Sequence, residues 1–223
     1  MTDNKPLLAI LGGTGKEGPG LAIRWAYAGY RVVIGSRQAE KAQAGAAEIN
    51  AQLAETTAHS TRRFESIIGM ENEAAARLAD ISVLTVVQNA HREALLGLRD
   101  ALQGKILVDA TARVDFRQPV PPDPPAAARQ AQDLLGSGVR VVAAFQNVPS
   151  HVLKKNLDQP IATDVLVCAD DTEAAQQVIH LAQAGGMQAY YAGGLDNALI
   201  VEGLTALLIS MNKFYGIKTA SIG

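Results

Sequence analysis

A chain of 223 residues, 48% hydrophobic and 19% charged, has the make-up of an ordinary globular protein. It can bury one large core, or a large domain with a small appendage. Its formal net charge of −2 gives no basis for nucleic acid or an anionic membrane as partner, and its single cysteine, Cys168, excludes an internal disulfide and a cysteine-rich metal site. The first residues run into a strand-like segment without a signal-type apolar core, and no apolar run approaches the roughly 20 residues that cross a bilayer, so a cytoplasmic location is expected.

Strand-like runs then alternate with helical patterns along the chain. The first, 7–11, is apolar throughout, is bounded by glycine and predicts a short buried strand. Gly13, Gly15 and Gly18 follow at the G-x-G-x-x-G spacing, ahead of a helical pattern over 18–29. In that setting Gly13 allows the tight turn, Gly15 lets a pyrophosphate approach the backbone, and Gly18 lets helix and strand pack closely. The helix N-terminus would hold the phosphates. The plainer alternative is a bare strand-to-helix turn, and the next half of the unit decides. Gly15-Lys16 also resembles the end of a Walker A loop, but Ile10 and Glu17 stand where that motif needs Gly and Ser or Thr.

The second strand, 31–35, precedes a helix over 38–54. Where an NAD site needs an acidic residue for the ribose hydroxyls, its tip carries Ser36 and Arg37, with Lys41 one turn further on. A hydroxyl and two cations suit a 2′-phosphate, so NADP(H) is predicted over NAD(H). Thr14 could add a hydroxyl from the glycine turn. The plainer alternative is a solvated helix start capped by Ser36.

Further strands are predicted at 64–68, 81–87, 105–109, 139–145, 163–168 and 187–191, and helices at 71–79, 91–103, 125–136, 172–184 and 195–214. The runs 81–87 and 139–145 are too apolar for a sheet with one wet face. The pattern therefore predicts an α/β fold: a doubly wound, mostly parallel Rossmann-type sheet with a small C-terminal helical portion. We divide it into a nucleotide-binding domain, 1–160, and a smaller portion, 161–223, that could be continuous with the main sheet. The proline-rich stretch 118–125 reads as a stiff surface connection. The last helix is apolar around much of its circumference, which predicts burial in a subdomain or between subunits, with a dimer contact favoured.

Reacting groups in such a sheet gather outside the carboxyl ends of the strands. Those ends present 87–91, 109–113 and 145–151, and acid–base equipment is sparse. His91 and His151 read as capping or surface residues, His59 and His180 as loop and helix-surface residues. Glu202 reads either as a buried acid or as a packing residue. Gln146 and Asn147 are the stronger candidates, since neutral amides read the edge of a heterocycle without burying a charge. The scarcity of acids and bases suits hydride transfer between two planar cofactors, which needs positioning and dryness more than a nucleophile.

Five blocks carry a family resemblance: Leu11-Gly-Gly-Thr-Gly-Lys-Glu-Gly18, Gly35-Ser-Arg37, Val142-Ala-Ala-Phe-Gln-Asn-Val148, Asp164-Val-Leu-Val-Cys-Ala-Asp-Asp171, and Leu195-Asp-Asn-Ala with Val201-Glu-Gly-Leu-Thr205. Through them the whole chain resembles the NADPH-dependent F420 reductases, also called F420H2:NADP+ oxidoreductases. The resemblance implies a homodimeric enzyme that passes a hydride between nicotinamide C4 of NADP(H) and C5 of the deazaflavin coenzyme F420, with no catalytic side chain and no metal. It implies nucleotide binding by the turn Gly13, Thr14, Gly15, Lys16, Glu17 and Gly18, with Thr14, Ser36, Arg37 and Lys41 on the 2′-phosphate. The deazaflavin would lie against Val86, Val87, Ala110, Thr111, Phe145 and Asn147, positioned by Thr111, Gln146 and Asn147. Val87 and Gln88 stand where relatives usually carry proline and an aromatic, and Arg113 where many bacterial relatives carry proline, so the acceptor pocket is more polar here. The alternatives are an NADPH-dependent reductase of a flavin, quinone or other small acceptor, and a non-catalytic NADP(H)-binding sensor.

Overall fold

The computed structural model describes residues 5–58 and 63–223; His59 lies outside them. Eight strands form one sheet in the order β3-β2-β1-β4-β5-β6-β7-β8. They are β1 (Leu8–Leu11), β2 (Val32–Ser36), β3 (Ile68–Glu71), β4 (Ile81–Leu84), β5 (Ile106–Asp109), β6 (Arg140–Ala143), β7 (Asp164–Ala169) and β8 (Gln188–Tyr191). The first six are parallel, β7 runs antiparallel to β6, and β8 is parallel to β7. The helices are α1 (Gly18–Tyr27), α2 (Ala39–Thr57), α3 (Asn72–Leu78), α4 (Gln88–Leu98), α5 (Ala127–Leu135), α6 (Ser150–Leu153), α7 (Thr172–Ala184) and α8 (Ala198–Tyr215). The doubly wound, mostly parallel sheet is the one the apolar runs predict, and β7 and β8 extend that same sheet.

Both faces of the sheet are covered, which is why its central strands lack alternation with polar residues. Leu8 and Ile10 of β1 point to one layer with Trp25 of α1, Leu53 of α2 and Val178 of α7. Ala9 and Leu11 point to the other, with Ala75 of α3, Leu95 of α4 and Ala131 of α5. Arg24 on α1 is buried without a carboxylate. It donates from Nε to the Leu153 carbonyl (2.8 Å) and from Nη2 to that of Lys155 (2.6 Å), tying the chain after β6 to α1. Asp171 caps α7 by accepting from the Ala174 N–H at 2.9 Å, so that helix begins where its sequence says.

Helix α6 is not predicted, β4 and β6 end at Leu84 and Ala143, short of the predicted 87 and 145, and three further elements differ in ways that bear on the site. β3 runs Ile68–Glu71 and shares only Ile68 with the predicted run 64–68, because both backbone groups of Ile67 are taken by the Asn50 amide, at 2.9 and 2.8 Å. Helix α4 starts at Gln88, earlier than predicted, which puts His91 in its first turn. Helix α8 is buried only through Ala198, Val201, Glu202, Gly203 and Ala206. Ile200, Leu207, Met211 and Phe214 lie exposed, Phe214 at 83%, so burial within one chain does not explain its composition. With the preceding turn, Leu195–Tyr215 is 21 residues long with a mean hydropathy of 1.3, long and apolar enough by length and composition to cross a membrane. That corrects the expectation that no such run exists. Its two acids are both paired, Asp196 with Arg129 and Glu202 with Arg113 inside the fold, as described below.

Candidate active site

The glycine turn is built at the sheet's central strand. Gly12 takes the left-handed conformation (φ +70°), so the tight turn falls there and not on Gly13. The Gly12 N–H donates to Asn72 Oδ1 at 3.0 Å and the Gly13 N–H to the Gly35 carbonyl at 2.9 Å, pinning the turn to α3 and β2. A side chain on Gly13 would meet the Ile10 carbonyl oxygen at 2.6 Å, and one on Gly18 would meet the Gly13 Cα at 2.7 Å. Gly15 is different: a Cβ there would find nothing nearer than 3.8 Å, and Thr14, Gly15 and Lys16 are exposed. Close packing beneath and open backbone above is the arrangement that lets a pyrophosphate approach the first turn of α1.

Glu17 closes this turn, and its carbonyl accepts from Gly20 and Leu21 of α1 at 2.9 and 3.1 Å. Its Oε1 is shut from solvent with no hydrogen-bond partner among the described residues, although the residue as a whole is partly exposed. Burial pushes the carboxyl up to about 8, so at neutral pH it is uncharged and does not repel phosphates.

Ser36, Arg37 and Lys41 lie at the end of β2 and the start of α2. Ser36 ends β2, is buried, and accepts a long bond from the Gln38 N–H (3.4 Å), which leaves hydroxyl capacity free. Arg37 and Lys41 are exposed. Gly45 of α2 lies beside Thr14, a Cβ on it being 3.7 Å from the threonine methyl. Lys41 is four residues earlier on that helix, so it shares the face turned to Thr14. Hydroxyls and cations thus converge on the corner next to the turn.

The ends of β4, β5 and β6 hold a buried polar cluster around Asp109. Asp109 is fully buried; its Oδ2 lies 2.6 Å from His91 Nε2, and its Oδ1 accepts from the Thr111 N–H at 3.0 Å. Its carbonyl accepts from Gln146 Nε2 at 3.2 Å. Burial opposes a charge on His91, but the hydrogen bond and charge of Asp109, with help from Glu202, more than offset it and raise the imidazole above its usual value. His91 is therefore a buried ion-pair residue and not the capping or surface residue expected. His151 and His180 are exposed, as expected.

Two atoms of this cluster, Thr111 Oγ1 and Gln146 Oε1, are buried with no hydrogen-bond partner among the described residues. Each such orphan costs about 1–3 kcal/mol. Asn147 behaves otherwise: its NH2 group is spent on the Val201 carbonyl (2.9 Å) and the Thr205 hydroxyl (3.0 Å) of α8. Phe145 has φ +74°, a strained value for an aromatic residue, and its ring packs edge-on to Trp25 with centroids 5.7 Å apart. Its side chain belongs to the core. Val87 is 73% exposed at the start of α4, Val86 is half-buried, and Ala110 is buried behind them.

Glu202 is a buried acid. Its Oε1 accepts from the Arg113 N–H (2.7 Å) and Nε (2.8 Å), and its Oε2 from the Ala127 N–H at 3.0 Å. Arg113 is thereby turned toward α8, and the Asp123 carbonyl takes its Nη2 at 2.9 Å. Its charge is neutralised, not offered to a ligand. Sequence reasoning missed Asn72, which anchors the glycine turn, and Asp109, which organises the acceptor side. An acid at the end of the apolar run Ile106-Leu-Val-Asp109 was the available signal.

A glycine turn, a cationic ribose corner and a buried polar cluster at the carboxyl ends of parallel strands are the features of a dinucleotide-dependent oxidoreductase domain. Residues 7–113 match the family model described as NADP oxidoreductase coenzyme F420-dependent. An F420-dependent NADP reductase of Methanocaldococcus jannaschii is 39% identical over 96% of each chain. That of Methanothermobacter thermautotrophicus is 38% identical over 96% of this chain and 93% of its own. The chain belongs to the family of F420-dependent NADP reductases. The crystal structure of a candidate F420-dependent NADP reductase from Arthrobacter sp. FB24 shares the fold, with a TM-score of 0.77 at 23% identity over 98% of each chain.

Proposed function

We propose that this chain is an NADPH:F420 oxidoreductase that brings NADP(H) and the deazaflavin together in one slot. Two observations support the reading: a ribose corner of hydroxyls and cations in place of a carboxylate, and full-length relatives named for this activity. When bound, the two molecules supply the chemistry themselves, a hydride passing directly between nicotinamide C4 and deazaflavin C5. The chain's residues position and enclose. Backbone N–H groups of residues 14–18 that the turn leaves unpaired, with the α1 N-terminus, hold the pyrophosphate, with Glu17 uncharged among them. Thr14, Ser36, Arg37 and Lys41 take the 2′-phosphate. Val86, Val87, Ala110 and the 145–148 turn wall the slot, and Thr111 and Gln146 orient the acceptor, whereas Asn147 acts by holding that turn to α8. The nucleotide is handled by 1–160, while 161–223 contributes α8.

The same reading makes the protein a cytoplasmic homodimer. The exposed apolar residues of α8 form a patch of the kind a second chain covers. The first half of α8 is held in the fold by Glu202, Val201 and Asn147, so the helix is not free to enter a bilayer. Mixing the protein anaerobically with NADPH and F420, and following both chromophores, tests the function. Coupled oxidation and reduction is the expected result. Oxidation only with a flavin or quinone would move the acceptor, and binding without oxidation would make the chain a sensor.

A further inference from the structure

The orphan pair at the ends of β5 and β6 has a fixed polarity. The Asp109 carbonyl can only accept, so it compels Gln146 to turn its NH2 inward and leaves Oε1 as an acceptor with nothing to receive. Asp109 cannot swing away, because His91 and the Thr111 N–H hold its two carboxylate oxygens. The same residue therefore sets both partners: Thr111, whose hydroxyl is unpaired, and Gln146, whose carbonyl is unpaired, on neighbouring strand ends registered Asp109 to Ala143. The backbone of Gln146 is fixed as well, its carbonyl accepting from the Thr205 hydroxyl at 3.1 Å. An amide free to flip would read donors and acceptors alike; this one is not free.

We propose that Gln146 Oε1 and Thr111 Oγ1 together read an imide edge, a ring N–H flanked by carbonyls, with Gln146 accepting from the N–H and the Thr111 hydroxyl donating to a flanking carbonyl. The inference rests on the F420 reading, since the deazaflavin ring carries such an edge, and it assigns the specificity of the acceptor half to these two side chains. An acceptor with only carbonyls, such as a simple quinone, offers Gln146 no donor and is disfavoured. The His91–Asp109 pair is a positioning element behind them.

The test is equilibrium binding, read by fluorescence, of F420 and of its N3-methyl analogue, which keeps the ring but lacks the N–H. Wild-type protein should bind the methylated ring about ten- to a hundredfold more weakly, the effect of one buried acceptor left unmet. In Gln146→Leu, or in Gln146→Met if the first is poorly folded, F420 affinity should fall by a similar factor. The methyl group should then cost less than about threefold, with NADPH affinity unchanged. Thr111→Val should weaken both ligands about equally, and Thr111→Ser should restore them. Equal wild-type affinity for the two ligands would overturn this inference while leaving the F420 reading in place. Independent, additive losses in the Gln146 variants would do the same. Failure of wild type to bind either ligand would remove both.

Discussion

Replacing Glu17 by glutamine keeps the shape of the side chain and removes its proton. In the folded chain burial holds this carboxyl at about 8, against an ordinary value of 4.5. The folded state therefore binds the proton more tightly than the unfolded state, and stability falls as pH rises between those values. The contribution is complete below the unfolded value and lost once pH passes the folded one. At ~1.36 kcal/mol per pH unit the window is worth at most about 4–5 kcal/mol, and about half of that is a better expectation for a residue that is partly exposed. Glutamine does not titrate, so Glu17→Gln should match wild type in acid and exceed its stability by about 2–2.5 kcal/mol above the folded pKa. Urea unfolding of both proteins from about pH 5 to about pH 9 measures this directly. NADPH affinity supplies a second readout. An ionised carboxylate in this turn would repel a phosphate bound at it and oppose binding. Wild-type affinity should therefore weaken in alkali, and that of Glu17→Gln should not. Stability curves that run parallel over the whole range would mean that Glu17 is hydrated and charged throughout, and the argument would fail.

Arg37→Ala should weaken NADPH binding by about 1.5–3 kcal/mol and leave NADH nearly untouched, and equal losses in calorimetric titrations would move Arg37 off the 2′-phosphate. Glu202→Ala strands the Arg113 guanidinium and the Ala127 N–H, and should lower unfolding free energy by about 3–5 kcal/mol; an unchanged thermal midpoint would deny the buried pair. On α8, Phe214→Glu with Leu207→Glu should yield monomers in sedimentation without loss of the monomer fold, since both residues are exposed. A variant that still sediments as a dimer would place the subunit contact elsewhere.

Most of the fold could be read from local pattern because each element carries its own signal. Apolar runs covered on both faces declared the strands, and Asp171 and the glycine turn marked helix starts by chemistry that needs no partner. β3 was misplaced because its neighbour decides it. The apolar stretch from Phe64 reads as strand until Asn50, on another element, takes the backbone groups of Ile67. Gly69 then lets α2 lie against the strand: a Cβ there would fall 2.2 Å from the Ala42 carbonyl carbon. The composition of α8 predicts cover within a subdomain or between subunits, and its own chain covers only one side of it. An apolar circumference states that something must cover a helix, not whether the cover is its own chain.

The two halves of the site differ in the same way. Residues 12–18 are contiguous and their spacing is itself the geometry, so the turn was visible at once; only the tight-turn residue moved, from Gly13 to Gly12. Ser36, Arg37 and Lys41 followed because the second strand must end beside the first. On the acceptor side, His91, Asp109 and Gln146 belong to three elements. What each can do depends on the others. His91 alone is a surface histidine by default, and it is buried here against Asp109, which faces it at 2.6 Å. Gln146 alone can donate or accept, and loses that choice only because a carbonyl lies 3.2 Å from its nitrogen. Polarity in such a cluster is a property of the contacts, which come from the order of strands in the sheet. The residue types therefore pointed to a polar slot, and the pairing of β4, β5 and β6 determines which atoms of that slot remain to meet a ligand.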